Sequence, residues 1–383
     1  MDTAINAILE QIAHNMNVPG QKQVIVGFDG FIDTIEKPIL KTGNENEQPE
    51  YFKTMEQFGA YISAQSHKSA SIEMEVLDRR PGGNMPNFSR GIAALGIKPL
   101  CIGMLSGADG TIDPVFSALP GEKISYAPAG TAFALEFNDG KLFLAPRYTL
   151  DGSPWEHIEQ SFSAHYGASG YLDCCLENAD LIACLNWSEL AFTDKLWHDL
   201  YQKCASLFCR DKQKYLLFDL CDFTRRTSGE LKNIISLVKK FAGLRTAVLS
   251  LNIHEALLLE ERILNKYRRG KDLSEDGMEE LGSKIFTLAD IDEIIIHSHH
   301  KSIAVTAEGV FGSMTTFCGS PAISTGAGDH FNAAYSFALL NKLSVKERLQ
   351  FANFYAFTYI TAGISQNIKG LREFNETGGK SRG

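Results

Sequence analysis

With 383 residues and 42.3 kDa the chain has room for one large α/β domain or two ordinary ones, and 44% hydrophobic against 22% charged residues rules out a disordered chain. A net charge of −9 and a pI near 5.6 exclude a general nucleic-acid binder, which needs a basic face. Small anionic ligands stay open, because a few backbone N–H groups can hold phosphate inside an acidic protein. Residues 1–17 lack a basic start and a continuous apolar run, so no signal peptide is expected. The most apolar stretches, 242–253 and 351–364, are too short or too polar to span a bilayer. Eight cysteines at irregular spacings contain no C-x-x-C pair and mostly sit in apolar runs, which suits reduced, buried thiols and a cytoplasmic location.

Along the chain, Val24–Phe28 reads as a first buried strand ending in glycine-punctuated sequence. Thr34–Leu40 and Ile72–Arg79 have the character of half-exposed strands, and Asn44–Glu50 of a loop. Asn87–Leu95 before Gly96 predicts a helix with a glycine C-cap, and Lys98–Leu105 a returning strand. Thr131–Phe137 and Lys141–Pro146 flank Asn138-Asp139-Gly140, a strong hairpin signal. Buried strands are expected at 181–185, 215–220, 246–251, 294–297 and 302–306, alternating with helices at 194–209, 229–241, 254–266 and 276–289. That alternation predicts a largely parallel sheet with crossover helices. Residues 268–277 read as a charged surface connection and 377–383 as a disordered tail, leaving 1–376 as a single domain with small lid pieces around 34–40, 72–79 and 131–146.

The most informative segment runs from Ser324 to Leu340, where Gly326-Ala327-Gly328 opens directly into an apolar helix. Without Cβ atoms at 326 and 328 the backbone can approach a ligand, and the first-turn N–H groups lack intrahelical partners. This makes an anion site at a helix start, with Asp329 beside it to accept a proton from a hydroxyl attacking the bound phosphorus. The blander alternative is that Asp329 only caps the helix. His297-Ser-His-His300 lacks a Cys or carboxylate at a metal-ligand spacing and reads as a strand-end loop. Arg147, Arg225 and Arg226 read as solvated surface charge, and no G-x-x-x-x-G-K-[ST] occurs.

Residues 324–329 with Phe331 resemble the C-terminal signature of the ribokinase-like (PfkB) carbohydrate kinases, D-T-x-G-A-G-D-x-F. Arg80-Pro-Gly-Gly-Asn-Met-Pro-Asn87 resembles the family's G-G-x-x-x-N element, Val26–Asp33 its first strand, and Asn252-Ile-His-Glu255 its N-x-x-E element. The resemblance implies an α/β fold with a central, mostly parallel sheet, helices on both faces and a small β lid. It implies Asp329 as catalytic base, with the N–H groups of Gly326, Ala327 and Gly328 as an anion hole. Asp33 would bind substrate hydroxyls, with Asp29 a second claimant; Gly82 and Gly83 would let the substrate approach the backbone, and Asn87 would contact it. Asn252 and Glu255 would organise Mg²⁺ around the phosphates of ATP, Glu255 as the metal residue, though both also fit a helix capping box. Thr306 and Gly309 in the segment 302–309, and Asn353, would lie on the nucleotide side. Ile323 stands where the family has the first aspartate of its signature, which puts monovalent-cation activation in question.

The implied activity is transfer of the γ-phosphoryl of ATP to a hydroxyl of a small-molecule sugar or nucleoside, with no nucleic-acid or membrane partner. Lids of this kind can pair two copies into a homodimer. The alternatives are ADP as donor, a non-catalytic ligand-binding homologue, and a dinucleotide enzyme; the last lacks G-x-G-x-x-G after the first strand.

Overall fold

The computed structural model describes residues 2–16, 22–43, 47–265, 275–323 and 325–378. The expected connection at 268–277, the tail at 377–383 and the middle of the 44–50 loop lie wholly or largely outside them.

Helix α1 (Thr3–Met16) precedes β1 (Val24–Gly27), after which the chain leaves for a small sheet. This begins with β2 (Phe31–Lys41), β3 (Glu50–Tyr51), α2 (Met55–Ala64) and β4 (Met74–Gly82). The chain returns through α3 (Asn84–Ala94), β5 (Leu100–Ser106) and β6 (Glu122–Pro128), then adds β7 (Gly130–Phe137) and β8 (Gly140–Leu144) to the small sheet. The rest is a wound α/β layer: α4 (Pro154–Tyr166), α5 (Tyr171–Asn178), β9 (Leu181–Leu185), α6 (Thr193–Leu207), β10 (Asp211–Asp219), α7 (Ser228–Ala242), β11 (Arg245–Asn252), α8 (Ile253–Leu264) and α9 (Glu275–Ala289). It closes with β12 (Glu293–His297), β13 (Lys301–Thr306), β14 (Gly309–Met314), α10 (Ala327–Leu340), α11 (Val345–Ala362) and α12 (Ile368–Thr377).

The large sheet has nine strands in the order β14-β13-β12-β11-β10-β9-β1-β5-β6. It is parallel except at β13, which runs antiparallel to both β12 and β14. Its central strands are apolar on both faces because both are covered: β9, Leu181-Ile-Ala-Cys-Leu185, is buried at every residue. The two-residue alternation divides them cleanly. Ile182, Leu216, Phe218, Leu249 and Ile294 join the core under α4 to α9, while Leu181, Leu217, Val248 and Ile295 join the core under α1, α3, α10, α11 and α12. Helix α10 is buried all the way round, which suits a helix lying between the sheet, α3 and α11. It lies close to α3 because position 91 is glycine; a Cβ there would stand 2.9 Å from that of Ala333.

The small sheet has the order β3-β2-β7-β8 with β4 on the other edge of β2. β2 runs parallel to β7 and antiparallel to β3 and β4. β7 and β8 form the hairpin expected from Asn138-Asp139-Gly140, pairing Phe137 with Gly140. Phe52, Phe58 and Leu135 make its own small core beneath α2. The expected strand at 302–306 is antiparallel rather than a further parallel strand, because only a tight turn, not a helix, links it to β12. The strand at 122–128 has no clear counterpart in the sequence pattern, since its residues Glu-Lys-Ile-Ser-Tyr-Ala-Pro are only partly apolar.

Where β1 hands over to β2, Gly30 passes so close to β5 that a Cβ would sit 2.2 Å from the Met104 carbonyl oxygen. Its own carbonyl accepts the Gly130 N–H at 3.0 Å, tying two crossings between the sheets together. Gly30→Ala is therefore expected to destabilise the fold by about 1–3 kcal/mol, measured as a lower denaturation midpoint. An unchanged midpoint would mean that the β5 backbone yields freely at this crossing.

Candidate active site

The carboxyl ends of β1, β10, β11 and β12 and the first turn of α10 converge on one region. At its centre Gly326 adopts a left-handed backbone with φ 85° and starts α10. A Cβ at 326 would stand 3.1 Å from the Asn87 amide and 3.2 Å from the Tyr359 hydroxyl, so only glycine leaves both neighbours in place. Asp329 follows in the first turn, buried, with one carboxylate oxygen accepting from Asn87 Nδ2 at 3.2 Å. Burial, and then the charges of Asp219 and Asp29, push its pKa well above the ordinary carboxylate value, while the side chains of Asn87 and Asn84 pull it back. Asn87 Nδ2 also donates to the Gly83 carbonyl at 3.0 Å, and its Oδ1 accepts from Arg90 at 3.4 Å, so the orientation of the amide is fixed on both sides.

Asp33 lies on β2 directly opposite Arg80 of β4. Its carboxyl is buried, which raises its pKa against the opposing pull of Arg80, Arg90 and Lys141. Among the described residues no donor is hydrogen-bonded to it. Asp29 behaves differently. It is fully buried and accepts from the Asn84 and Met85 N–H groups at 2.8 Å each and from Asn186 Nδ2 at 2.7 Å. It caps α3 from another part of the chain, and its accepting capacity is taken up by protein donors. Of the two claimants for a substrate contact, Asp33 is the one left with free acceptor capacity.

The glycines at 82 and 83 also answer a packing need. A Cβ on Gly82 would fall within 2.2–2.4 Å of the Asp33 carboxylate, and one on Gly83 2.4 Å from Asp29 Oδ2. The space their missing side chains leave is filled by the chain's own carboxylates.

On the other side of the Gly326 turn lies a cleft of about 540 Å³ lined by Asn252, His297, Phe317, Ala327, Gly328 and Asn353 among others. Asn252 and Glu255 form a full capping box for α8, with bonds of 2.9 Å each way and a third from Asn252 Nδ2 at 2.7 Å. The structural and the site readings of this pair are thus compatible. Thr306 and Gly309 are misplaced as nucleotide contacts. Thr306 pairs with Glu293, at the far end of β12 from His297, and with Gly309 it flanks the tight turn between β13 and β14. The turn that does border the cleft is the preceding one, where His297, Ser298 and His299 lie. That run closes β12 at His297 and turns through residues 298–300 into β13. Arg226, expected to be a solvated charge, is instead built in: it donates to the carbonyls of Trp187, Ser188 and Leu190 and lies over the Trp187 ring at 4.5 Å.

Several residues of the site escaped the sequence reading. Asp219 ends β10 buried, accepting from Cys221 N–H at 2.8 Å and Asn332 Nδ2 at 2.7 Å. Burial raises the pKa of both Asp219 and Glu255, and the charge of Asp219 adds to the rise at Glu255. The available signal was a carboxylate closing a buried strand, Leu216-Leu-Phe-Asp219. Asn186, Arg90 and Tyr359 carried no signal, because their neighbours come from distant parts of the chain.

A family model described as prokaryotic ketohexokinase matches residues 1–377. The ketohexokinase of Haloferax volcanii is 23% identical over 369 residues, covering 92% of this chain and 90% of that protein. Among solved structures, the adenosine kinase of Sinorhizobium meliloti superposes with a TM-score of 0.60 at 15% identity, covering 94% of this chain and 100% of that one. Arabidopsis thaliana ribokinase, solved with ribose and ATP, does so with a TM-score of 0.58 at 14% identity, covering 93% and 98%.

Asp29 makes the site's stability sensitive to pH. Burial pushes its pKa up from 3.8 to about 6 despite three donors. The fold therefore favours the protonated form, so this contribution is fully present below 3.8 and is lost as pH rises through about 6. It amounts to about 3 kcal/mol. Denaturation midpoints from pH 4 to 8 should fall more steeply for the wild type than for Asp29→Asn, which keeps a neutral side chain throughout; parallel curves would refute the assignment.

Proposed function

This chain belongs to the prokaryotic ketohexokinase family and is a carbohydrate kinase, and we propose that it moves the γ-phosphoryl of ATP onto a hydroxyl of a ketohexose, with Asp329 as the base. The observation that carries this reading is the placement of one buried carboxylate, steered by Asn87, at the start of a helix whose first residues line a cleft large enough for a nucleotide. Family membership removes the non-catalytic and dinucleotide alternatives.

In this reading the acceptor lies between Asp33, Asn87 and Asp329, on the small-sheet side of the turn. Asp33 accepts hydrogen bonds from its hydroxyls, and Arg80 and Arg90 hold further oxygens. The nucleotide occupies the cleft beside Asn252, His297 and Asn353, its terminal phosphate against the N–H groups of Gly326, Ala327 and Gly328. There the orphan donors and the positive end of α10 stabilise negative charge. Asp329 accepts the proton as the acceptor oxygen attacks, and its raised pKa makes it a better base than an exposed aspartate. Most of the rate enhancement then comes from positioning and electrostatics.

Mg²⁺ would be held by Glu255 and Asp219, next to Asn252 at the edge of the cleft. Glu255 and Asp219 are two carboxylates whose pKa values burial raises, and magnesium takes few protein oxygens, keeping water and phosphate ligands. When bound it would spread the charge of the phosphates. The family model's span supports residues 1–376 acting as one kinase domain, and the position of β2, β4, β7 and β8 beside Asp33 supports their use as a lid that excludes water. Exposed Val76, Phe133, Leu142 and Leu144 on that sheet support pairing of two copies there. Among the described residues no helix is long and apolar enough to cross a membrane, and all eight cysteines are free thiols, which supports a cytoplasmic location.

A panel of ketohexoses, aldoses and nucleosides with Mg-ATP or Mg-ADP, followed by nucleotide turnover, tests the reading. Ketohexose with ATP should be the preferred pair, and chelation of Mg²⁺ should stop the reaction. Asp329→Asn should lower kcat about 10²–10⁴-fold while leaving nucleotide binding intact. Because only the ionised carboxylate can accept a proton, wild-type kcat/KM should fall as pH drops through the raised pKa of Asp329, and the variant's residual rate should lack that limb. Full turnover by Asp329→Asn would end the assignment of the base.

A further inference from the structure

Two side chains that take no part in the steps above stand behind the glycine turn. His330 is wholly buried, with Nδ1 2.7 Å from the Gly326 carbonyl oxygen and Nε2 2.7 Å from Ser365 Oγ. A carbonyl can only accept, so Nδ1 carries the proton and Nε2 accepts from the Ser365 hydroxyl. Burial, with Arg90 nearby, pushes the ring's pKa down to about 4, so it is neutral in this tautomer. Tyr359 of α11 stacks on the ring at 3.5 Å between centroids and 11° between planes, and its hydroxyl donates to the Thr325 carbonyl at 3.0 Å.

Two consecutive carbonyls are therefore held by one stacked pair. The Thr325 carbonyl shares a peptide plane with the Gly326 N–H, and the Gly326 carbonyl shares the next plane with the Ala327 N–H. Both bonds are trans, since the one cis bond found among the described residues is Gly27–Phe28. In a trans peptide the C=O and N–H point in opposite directions. Fixing each carbonyl toward Tyr359 and His330 fixes the matching N–H away from them, and Ala327 lines the cleft.

We propose that Tyr359 and His330 are positioning residues that hold the Thr325 and Gly326 carbonyls and so aim the Gly326 and Ala327 N–H groups at the phosphoryl group in transfer. The proposal rests on the reading of this turn as the phosphoryl cradle. His330 reinforces a carbonyl that also accepts its own backbone N–H at 3.0 Å, whereas the Tyr359 hydroxyl is the donor to Thr325. Tyr359→Phe keeps the stacked ring and removes one oxygen, which makes it the cleaner probe.

The test compares wild type, Tyr359→Phe, His330→Asn and His330→Leu as full chains, with kcat, both KM values, and the affinities for ADP alone and for ADP with aluminium fluoride and the acceptor sugar. Aluminium fluoride mimics the phosphoryl group in flight, so it reports the aim of the N–H groups separately from nucleotide binding. Tyr359→Phe should lose about 10–100-fold in kcat and a matching factor in fluoroaluminate affinity, with ADP affinity within about twofold. His330→Asn, whose amide reaches the Gly326 carbonyl from the same helix position, should retain more activity than His330→Leu. Wild-type kcat for Tyr359→Phe, or equal losses in ADP and fluoroaluminate affinity, would overturn the proposal. If His330→Leu fails to fold, Tyr359→Phe and His330→Asn still decide it. A wild type that neither turns over nor traps ADP with fluoroaluminate would instead overturn the kinase assignment of the turn, a separate failure.

Discussion

Four acidic side chains, Asp29, Asp219, Glu255 and Asp329, are taken out of water at the carboxyl ends of the parallel strands, and the rest of the site is arranged around that fact. Burial raises the pKa of each, and the charges of neighbouring carboxylates add to the rise at Glu255 and Asp329. What holds them is a set of amides: backbone N–H groups of Asn84, Met85 and Cys221, and side chains of Asn87, Asn186, Asn252 and Asn332. An amide donor stabilises a carboxylate without cancelling its charge. The region therefore lacks the positive partners that ion pairs would have supplied, which suits a cation-carrying nucleotide better than a bare anion. The positive groups, Arg80, Arg90 and Lys141, are gathered instead around Asp33, on the side of the turn away from the cleft.

Glycine serves two purposes here that sequence alone does not separate. At 326 it permits a left-handed backbone with neighbours on both sides, the role expected of a ligand-binding turn. At 82 and 83 it makes room for the carboxylates of Asp33 and Asp29, so the Gly-Gly pair shapes the acceptor side indirectly, by deciding where two acids can lie. The two uses share a consequence. Each glycine brings elements from distant parts of the chain within hydrogen-bonding reach, which is how Asn87 of α3 meets Asp329 of α10.

The architecture was legible wherever a pattern was local. Buried strands such as 181–185, the Asn-Asp-Gly hairpin and the Gly-Ala-Gly helix start are encoded within a few adjacent residues, and each appears in the structure at the expected place. Of the motif residues, Asn87 is hydrogen-bonded to Asp329, and Asn252 is hydrogen-bonded to Glu255 beside the cleft that Ala327 and Gly328 line. What failed was register. The segment at 302–309 has the composition of a strand and glycine turn, but whether its turn or the one before it meets the ligand depends on strand direction. The antiparallel pairing of Glu293 with Thr306 sends Thr306 and Gly309 to the wrong end. Arg226 was misread for a related reason. Its partners are carbonyls freed by the loop after β9, and nothing near it in sequence announces them.

Helix α10 explains how one short segment can serve several demands at once. Successive residues of an α-helix turn by about 100°, so Asp329 and Asn332 lie near one another while His330 points well away from both. Asn332 bridges Asp219 of β10 and Ser250 of β11, fixing the helix against the strand ends; Asp329 faces Asn87 of α3; His330 reaches back to α11 and Ser365. The first turn is thus tied in three directions, and burial of the whole helix supplies apolar contacts that keep those ties in place. A surface helix could carry the same glycines and the same aspartate, but its first turn would be free to fray, and N–H groups that fray cannot stay aimed. The geometry of the turn is therefore inseparable from the position of the helix at the centre of the fold.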